Sequence, residues 1–287
     1  MLDMVEYGLT MSQVNDPKRN KVLRLLDFSF HSLMQTYGRA FLCRAVLRHP
    51  LRTLRGLWTY RQILKADQPG MRALFQGEED AFVNRAALAG ERLLVGTGFC
   101  QKPLCTIRTD EQQDTKASAY ECPAGRFNHD CLYLVQSDLS SKTSFHPACM
   151  DCSMYILGQA ALQAGASFAV LTSALDIAHD ILFPALEEQC FTHILFAICP
   201  YSVEPMTLAL LICGLEGYLF RYYSGSCANY QQWLRADRGD KPERTFLSPP
   251  SMIRLLHLLK AIAALRASAF STCPTHYEQV GHIFRPR

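Results

Sequence analysis

Long apolar runs are missing from this sequence. No segment approaches eighteen uninterrupted apolar residues, which excludes an evident spanning helix. The opening stretch "MLDMVEYGLTMSQVNDPKRNK" lacks an apolar core before a small-residue cleavage site, so it does not read as a secretory signal. Neither a P-loop nor GxGxxG occurs, and "GTGFCQ" lacks the third glycine, so no nucleotide site is assigned. HExxH and GxSxG are absent, as are the CxxCxxC spacing of ferredoxins and the CxxxCxxC spacing of radical enzymes. No internal repeat or low-complexity tract interrupts the chain. The expected compartment is the cytoplasm, where persistent disulfides are rare.

What is abundant is cysteine. Twelve occur in 287 residues, and six of them, Cys100, Cys105, Cys122, Cys131, Cys149 and Cys152, fall in the central stretch. With 49% hydrophobic and 19% charged residues the chain has the composition of a globular protein able to bury a large core. Disulfide staples are therefore not needed for stability, and in a reducing compartment a cysteine cluster points to metal binding or catalysis.

The net charge of +3 conceals a strong asymmetry: Lys18 to Lys65 carries +10 and the remainder −7. The basic part reads as helical, with Leu25, Phe28, Leu33, Phe41 and Leu42 as apolar positions and a break near Gly38. A second helix opens at Pro50, with Leu51, Leu54, Trp58 and Leu64 on one face. Arg44, Arg48, Arg52 and Arg55 recur on the other, as a solvated face or as a contact with an anionic membrane or nucleic acid. The expected organisation is a helical basic module over 1–90 and a cysteine-rich α/β domain over 91–287, with cysteine loops at 98–152 and βα units at 153–267.

"GEEDAFVNRAALAG" predicts a helix, and "ERLLVGTGFC" a strand running into a turn. From Gln101 to Lys142 the chain is polar and aperiodic, and a loop of that length needs something to hold it. After Cys152, "SMYILGQAALQAGA", "ALDIAHDILFPALEEQ" and "VEPMTLALLICG" read as helices. They alternate with "SFAVLTS", "FTHILFAICP" and "LEGYLFRYYS", which read as strands. This alternation predicts βαβ units, a parallel sheet and a Rossmann-like C-terminal half. Pro249 and Pro250 open a last long helix.

Cys149-x2-Cys152 is the tightest pair, able to grip one centre from a single turn. Zinc prefers two such pairs, but Cys100-x4-Cys105 and Cys122-x8-Cys131 are wider, so a zinc site would draw on His129 or His146. A [4Fe–4S] cluster accepts ligands from separate loops, and Cys122-Pro123 has the proline that often follows a cluster ligand. The leading ligand set is Cys122, Cys131, Cys149 and Cys152, with Cys100 or Cys105 as replacements. A dithiol reading of "CMDC" and plain packing of small thiols remain alternatives.

"HPACMDCSMYILGQAALQAGASFAVLTS", "FTHILFAICP" and "SGSCANY" resemble a cysteine-rich prokaryotic group, domain of unknown function family 116. Cys149, Cys152 and Cys199 match its pattern, whereas Cys227 follows Ser226 in place of glycine. The resemblance spans the C-terminal half and carries no activity. It implies that Cys199 and Cys227, each past a strand, project toward one end of the sheet, where open parallel sheets hold ligands. Both are further metal-ligand candidates. Cys43, Cys190 and Cys213 read as core, and Cys273 as a weaker ligand candidate before a proline.

Arg126, Asn128, His129 and Asp130 in "GRFNHD" lie between two ligand candidates; there Arg126, His129 and Asp130 are the candidates for substrate chemistry, against a turn reading. Asp176, His179 and Asp180 are spaced to share a helical face as an acid–base set or a polar surface. The functional expectation is an iron–sulfur protein doing redox chemistry or cluster-dependent catalysis on a small molecule, alone or with a redox partner protein. One alternative is a zinc-stabilised module gripping nucleic acid or membrane. The other is a metal-free thiol enzyme.

Overall fold

The computed structural model describes residues 38–63, 68, 70–104, 121–135, 146–269 and 274–287. The predicted helix before Gly38, Leu64, Cys105 and Cys273 lie outside them. The fold is mixed α/β, built on a sheet of eight strands in the order β1-β5-β4-β2-β3-β8-β7, with β6 paired to β5. The strands are β1 (Met71–Ala73), β2 (Leu93–Gly98), β3 (Ser167–Leu171), β4 (His193–Ile198), β5 (Glu216–Ser224), β6 (Phe246–Leu247), β7 (Tyr277–Val280) and β8 (Ile283–Pro286).

The centre, β3-β2-β4-β5, is parallel, and β1, β6, β7 and β8 join antiparallel. The four central strands are apolar on both faces because both faces are covered. Leu93, Val95, Phe168, Val170, Leu195, Tyr218 and Phe220 enter one core. Their alternates Leu94, Ala169, Ile194, Phe196 and Leu219 enter the other. Gly217 in β5 has φ +152°, and an added Cβ would lie 1.8 Å from the Ile194 carbonyl oxygen. That approach of β5 to β4 therefore requires glycine.

Helices α1 (Gly38–Arg48), α2 (Pro50–Ile63), α3 (Glu79–Ala89), α4 (Pro147–Met150) and α5 (Ser153–Gln163) follow in the chain. Next come α6 (Ala174–Ile177), α7 (Phe183–Glu187), α8 (Val203–Ile212), α9 (Tyr230–Asp237) and α10 (Pro249–Ala269). Helix α10 packs on α3 and α5 over the first core, and α2 packs on α8 over the second. The expected boundary at residue 90 falls inside this architecture: β1 pairs with β5, and Arg72 on β1 reaches Glu204 of α8 at 2.8 Å. Tyr60 of α2 donates to the same carboxylate.

Three local expectations are corrected. The stretch "ALDIAHDILFPALEEQ" is not one α-helix, since Ala178–Leu182 forms a π turn between α6 and α7. Pro184 supplies the reason: it has no N–H for the Asp180 carbonyl and its ring crowds that turn. Cys43 is exposed and not core, while Cys213 is buried with its thiol donating to the Leu182 carbonyl.

The faces of α2 are the reverse of those expected. Leu51, Leu54 and Trp58 are 80%, 63% and 65% exposed, and the buried residues are Thr53, Gly56, Tyr60 and Ile63. Gly56 lets the helix sit against the α8 backbone at Ile212. On the other side Arg44 and Arg48 pair with Glu187, and Arg52 donates to the Leu186 carbonyl at 2.9 Å. Three of the four arginines are thus tied to the body, and Arg55 is exposed.

Candidate functional site

The cysteines gather in two groups at the carboxyl ends of the parallel strands and in the loops beyond them. Cys122, Cys131, Cys149 and Cys152 form the first. Burial and the neighbouring thiols Cys152 and Cys122 raise the pKa of Cys131 and of Cys149, each to about 12. Cys152 is raised by burial, while the amides of Met154 and Tyr155, at the start of α5, favour its thiolate without closing a formal cap. The single-turn helix α4 carries Cys149, and the Cys152 amide closes the turn onto the Cys149 carbonyl at 3.3 Å.

Lys102 lies near Cys122, Cys131 and Cys152, 1% exposed. Its ammonium donates to the Gly125 carbonyl at 3.1 Å, the Asn128 carbonyl at 3.0 Å and Asn128 Oδ1. Burial lowers its pKa, whereas Cys122, Cys131, Asp130 and Cys152 act in the opposite sense, so an anion at these sulfurs would hold the charge in place. Arg244 adds a second cation beside Cys152, donating to the Gln101 and Asp151 carbonyls. Neutral thiols give this buried ammonium little compensation, and thiolates on a metal centre give it a great deal.

Cys100, Cys199 and Cys227 form the second group, following β2, β4 and β5. All three line a cavity of ≈100 Å³ together with Tyr222, Asp237 and Lys241. Cys199 and Cys227 hydrogen-bond to each other. That bond raises the Cys199 pKa well above the ordinary thiol value and lowers that of Cys227 to about 7. Lys241 also favours the Cys227 thiolate, and burial raises Cys100. The rest of the wall is mostly apolar, including Leu171, Ile198 and Met206.

The three candidates of the "GRFNHD" loop go separate ways. Arg126 donates to the Lys241 and Glu243 carbonyls and so fastens the cysteine loop to the segment beside the cavity. Asp130 is exposed and accepts from Gln279 at 3.3 Å. His129 turns to the sheet, where its Nδ1 meets the Val170 carbonyl at 3.0 Å. Asp176 and Asp180 lie near it, but His179 is exposed against Phe183 and does not join them. His282 does, stacked on His129 with ring centroids 3.8 Å apart.

Sequence reasoning missed His282 and Lys102. The first lies 153 positions from His129, and β3–β8 pairing alone brings it there. The second had one available signal, a lysine placed between Cys100 and Cys105. Among the described residues, the ligand atoms of His129, Asp176, Asp180 and His282 form the one His/Cys/Asp/Glu group drawn within 4.8 Å of one another. The thiols are therefore spread wider than a single tetrahedral ion holds its ligands.

No family model matches the chain, and neither the curated proteins nor the solved structures provide a match. No described helix is long and apolar enough to cross a membrane.

Proposed function

We propose that this chain binds a [4Fe–4S] cluster through Cys122, Cys131, Cys149 and Cys152, and uses it in redox chemistry on a small molecule held in the adjoining cavity. The observation that supports this reading is that Cys122, Cys131 and Cys152, distant in sequence, all act on the buried Lys102, with Cys149 near Cys152 and Cys122. A cubane with four thiolates is anionic and holds its sulfurs further apart than zinc does, which suits both the buried cation and the spread of the thiols. Bound there, the cluster would supply one-electron chemistry. The chain's own residues supply the rest: Lys102 and Arg244 oppose its charge, and the amides at the start of α5 favour the Cys152 thiolate.

A Rossmann-like parallel core belongs to the same proposal. The chain leaves β2 for β3 on one side and returns to β4 on the other, and the cavity opens at the carboxyl ends of those strands. Such a reversal is where open α/β sheets hold ligands. The electron source would be a redox partner protein, and the free thiols suit a reducing cytoplasm. The zinc-stabilised module gains nothing comparable, because Arg44, Arg48 and Arg52 are engaged with the body.

One observation favours a second reading, a thiol enzyme without metal: the Cys199–Cys227 pair in the cavity has one sulfur poised as a thiolate near neutrality. Purification without oxygen, followed by absorption spectroscopy and iron and sulfide analysis, separates the two. The cluster reading expects absorbance near ~400 nm with iron and sulfide, lost in both Cys149→Ser and Cys152→Ser. Full loading in both variants removes it. An iron-free, colourless protein whose activity survives chelators but not alkylation establishes the thiol enzyme.

A further inference from the structure

His129, Asp176, Asp180 and His282 come from the cysteine loop, α6, the π turn and the β7–β8 turn, and each turns its ligand atom to one point. Asp180 Oδ2 lies 2.7 Å from His282 Nδ1, and His129 Nε2 lies 3.4 Å from Asp176 Oδ2. They border a cavity of ≈10 Å³, the room of a single water or small ion.

Proton counting shows how the group is satisfied and how a cation would fit it. The Val170 carbonyl can only accept, so the proton of a neutral His129 ring sits on Nδ1 and Nε2 carries a lone pair. That lone pair faces the Thr172 hydroxyl at 3.1 Å and the Asp176 carboxylate. Thr172 has one proton, and its hydroxyl also contacts Asp176 Oδ2. Ser173 donates to the same oxygen at 2.8 Å while its own oxygen accepts from the Asp176 amide. With Thr172 donating to Nε2 and Ser173 to Oδ2 each acceptor has a donor, and a cation that took the Nε2 lone pair would leave the Thr172 proton to Oδ2. A backbone carbonyl fixing Nδ1–H while Nε2 points inward is also the usual outer-sphere support of a metal-bound imidazole.

We propose that these four residues bind one divalent cation of borderline hardness, of the manganese, iron(II) or zinc class. Two imidazoles and two carboxylates suit that class better than magnesium or calcium, which take oxygen ligands. His282 is half exposed and gives the ion an entry path, while His129 forms the floor. Thr172 and Ile177 line both this small cavity and the large thiol-lined one. An ion held here therefore stands behind one wall of the larger cavity. The site uses none of the cysteines and stands independently of the cluster reading.

Manganese(II) is the appropriate probe because thiolates select softer ions. Titrated into the full-length chain, it should lose its free-ion electron paramagnetic resonance signal up to one equivalent, with nitrogen coupling from imidazole in the pulsed spectrum. Asp180→Asn and His282→Gln, on the more open side, should each weaken binding by about tenfold or more, with circular dichroism and metal-free thermal unfolding unchanged. Asp176→Asn, beside His129, should do the same. Absence of manganese binding to the unaltered chain, or binding equally tight in Asp180→Asn and His282→Gln, would overturn the proposal and leave the residues as two ion pairs.

Discussion

The thiols of Cys199 and Cys227 hydrogen-bond to each other at the wall of the large cavity, although 28 positions and a whole helix–strand unit separate them. The bond divides the pair: Cys227 is pushed toward thiolate, with an apparent value of about 7, and Cys199 is held as the thiol donor. Iodoacetamide should therefore label Cys227 ahead of Cys100 and Cys213, whose values burial raises. The rate should rise through a midpoint near the pair's value. Cys199→Ala should move that midpoint up toward an ordinary thiol, as read by peptide mapping of initial labelling rates across pH. An unchanged midpoint in the variant would remove the Cys199 bond as its cause.

Replacing Lys102 tests the charge argument. In Lys102→Met the proposed cluster would lose its buried counter-charge, so its reduction potential should become more negative and its occupancy should fall. Loss of the ammonium also leaves the Gly125 and Asn128 carbonyls without their donor, at a cost of about 1–3 kcal/mol each if water does not replace it. Redox titration of the loaded protein separates the two effects, because a packing defect alone leaves the potential where it was.

Gly56 is the contact on which α2 seats against α8. A Cβ at this position would meet the Ile212 nitrogen at 2.8 Å, and that neighbour is backbone. Gly56→Val should destabilise the fold by about 1–3 kcal/mol, seen as a lower urea midpoint. Leu54→Ser, on the exposed face of the same helix, should change the midpoint little.

His193 begins β4 with its Nε2 buried and lacking a hydrogen-bond partner, and burial lowers its pKa. The folded chain holds the ring neutral, while the unfolded chain binds a proton once the pH drops below about 6.5. Below that point the unfolded state carries more protons, so this residue's contribution to stability declines as the pH falls toward the folded value. Urea midpoints between pH 7.5 and 5 should drop more steeply in the unaltered chain than in His193→Gln. Parallel curves would assign the acid sensitivity to other groups.

Tyr277 anchors the C-terminal hairpin. Its buried hydroxyl lies 3.1 Å from the Gly158 carbonyl and 3.0 Å from that of Ala166, joining β7 to the middle of α5 and to the residue before β3. Tyr277→Phe keeps the ring and should cost about 1–3 kcal/mol, with faster hydrogen exchange in β7 and β8. Because His282 lies in the turn between β7 and β8, the same variant should loosen the ring stacking on His129.

The elements legible in the sequence are those whose side chains answer to local periodicity. "HILFAI", "SFAVL" and "GYLFRYY" are continuous apolar runs and became β4, β3 and most of β5, because a strand covered on both faces needs no polar alternation. Helices α3, α5, α8 and α10 announced themselves by their apolar content, with acids in the first turn of α3 and prolines opening α10. The strands at the margins did not: β1, β6, β7 and β8 are two to four residues long, and their pairing rests on partners far along the chain. The reversal of α2 was hidden for a related reason. Apolar residues repeat on both sides of that helix, and Gly56, which has no hydrophobic signal, decides the buried face through its close fit to Ile212.

By itself, then, the sequence determined that this protein is rich in cysteine and that Cys122, Cys131, Cys149 and Cys152 lie close together along the chain, because residue type and short spacing are local properties. Only the tertiary structure decided that Lys102 is buried near three of those thiols, that Cys100, Cys199 and Cys227 share a cavity, and that His282 reaches His129. These are meetings between strand ends and loops that parallel crossovers and an antiparallel edge hairpin bring together, and no spacing along one chain encodes a distance across a sheet.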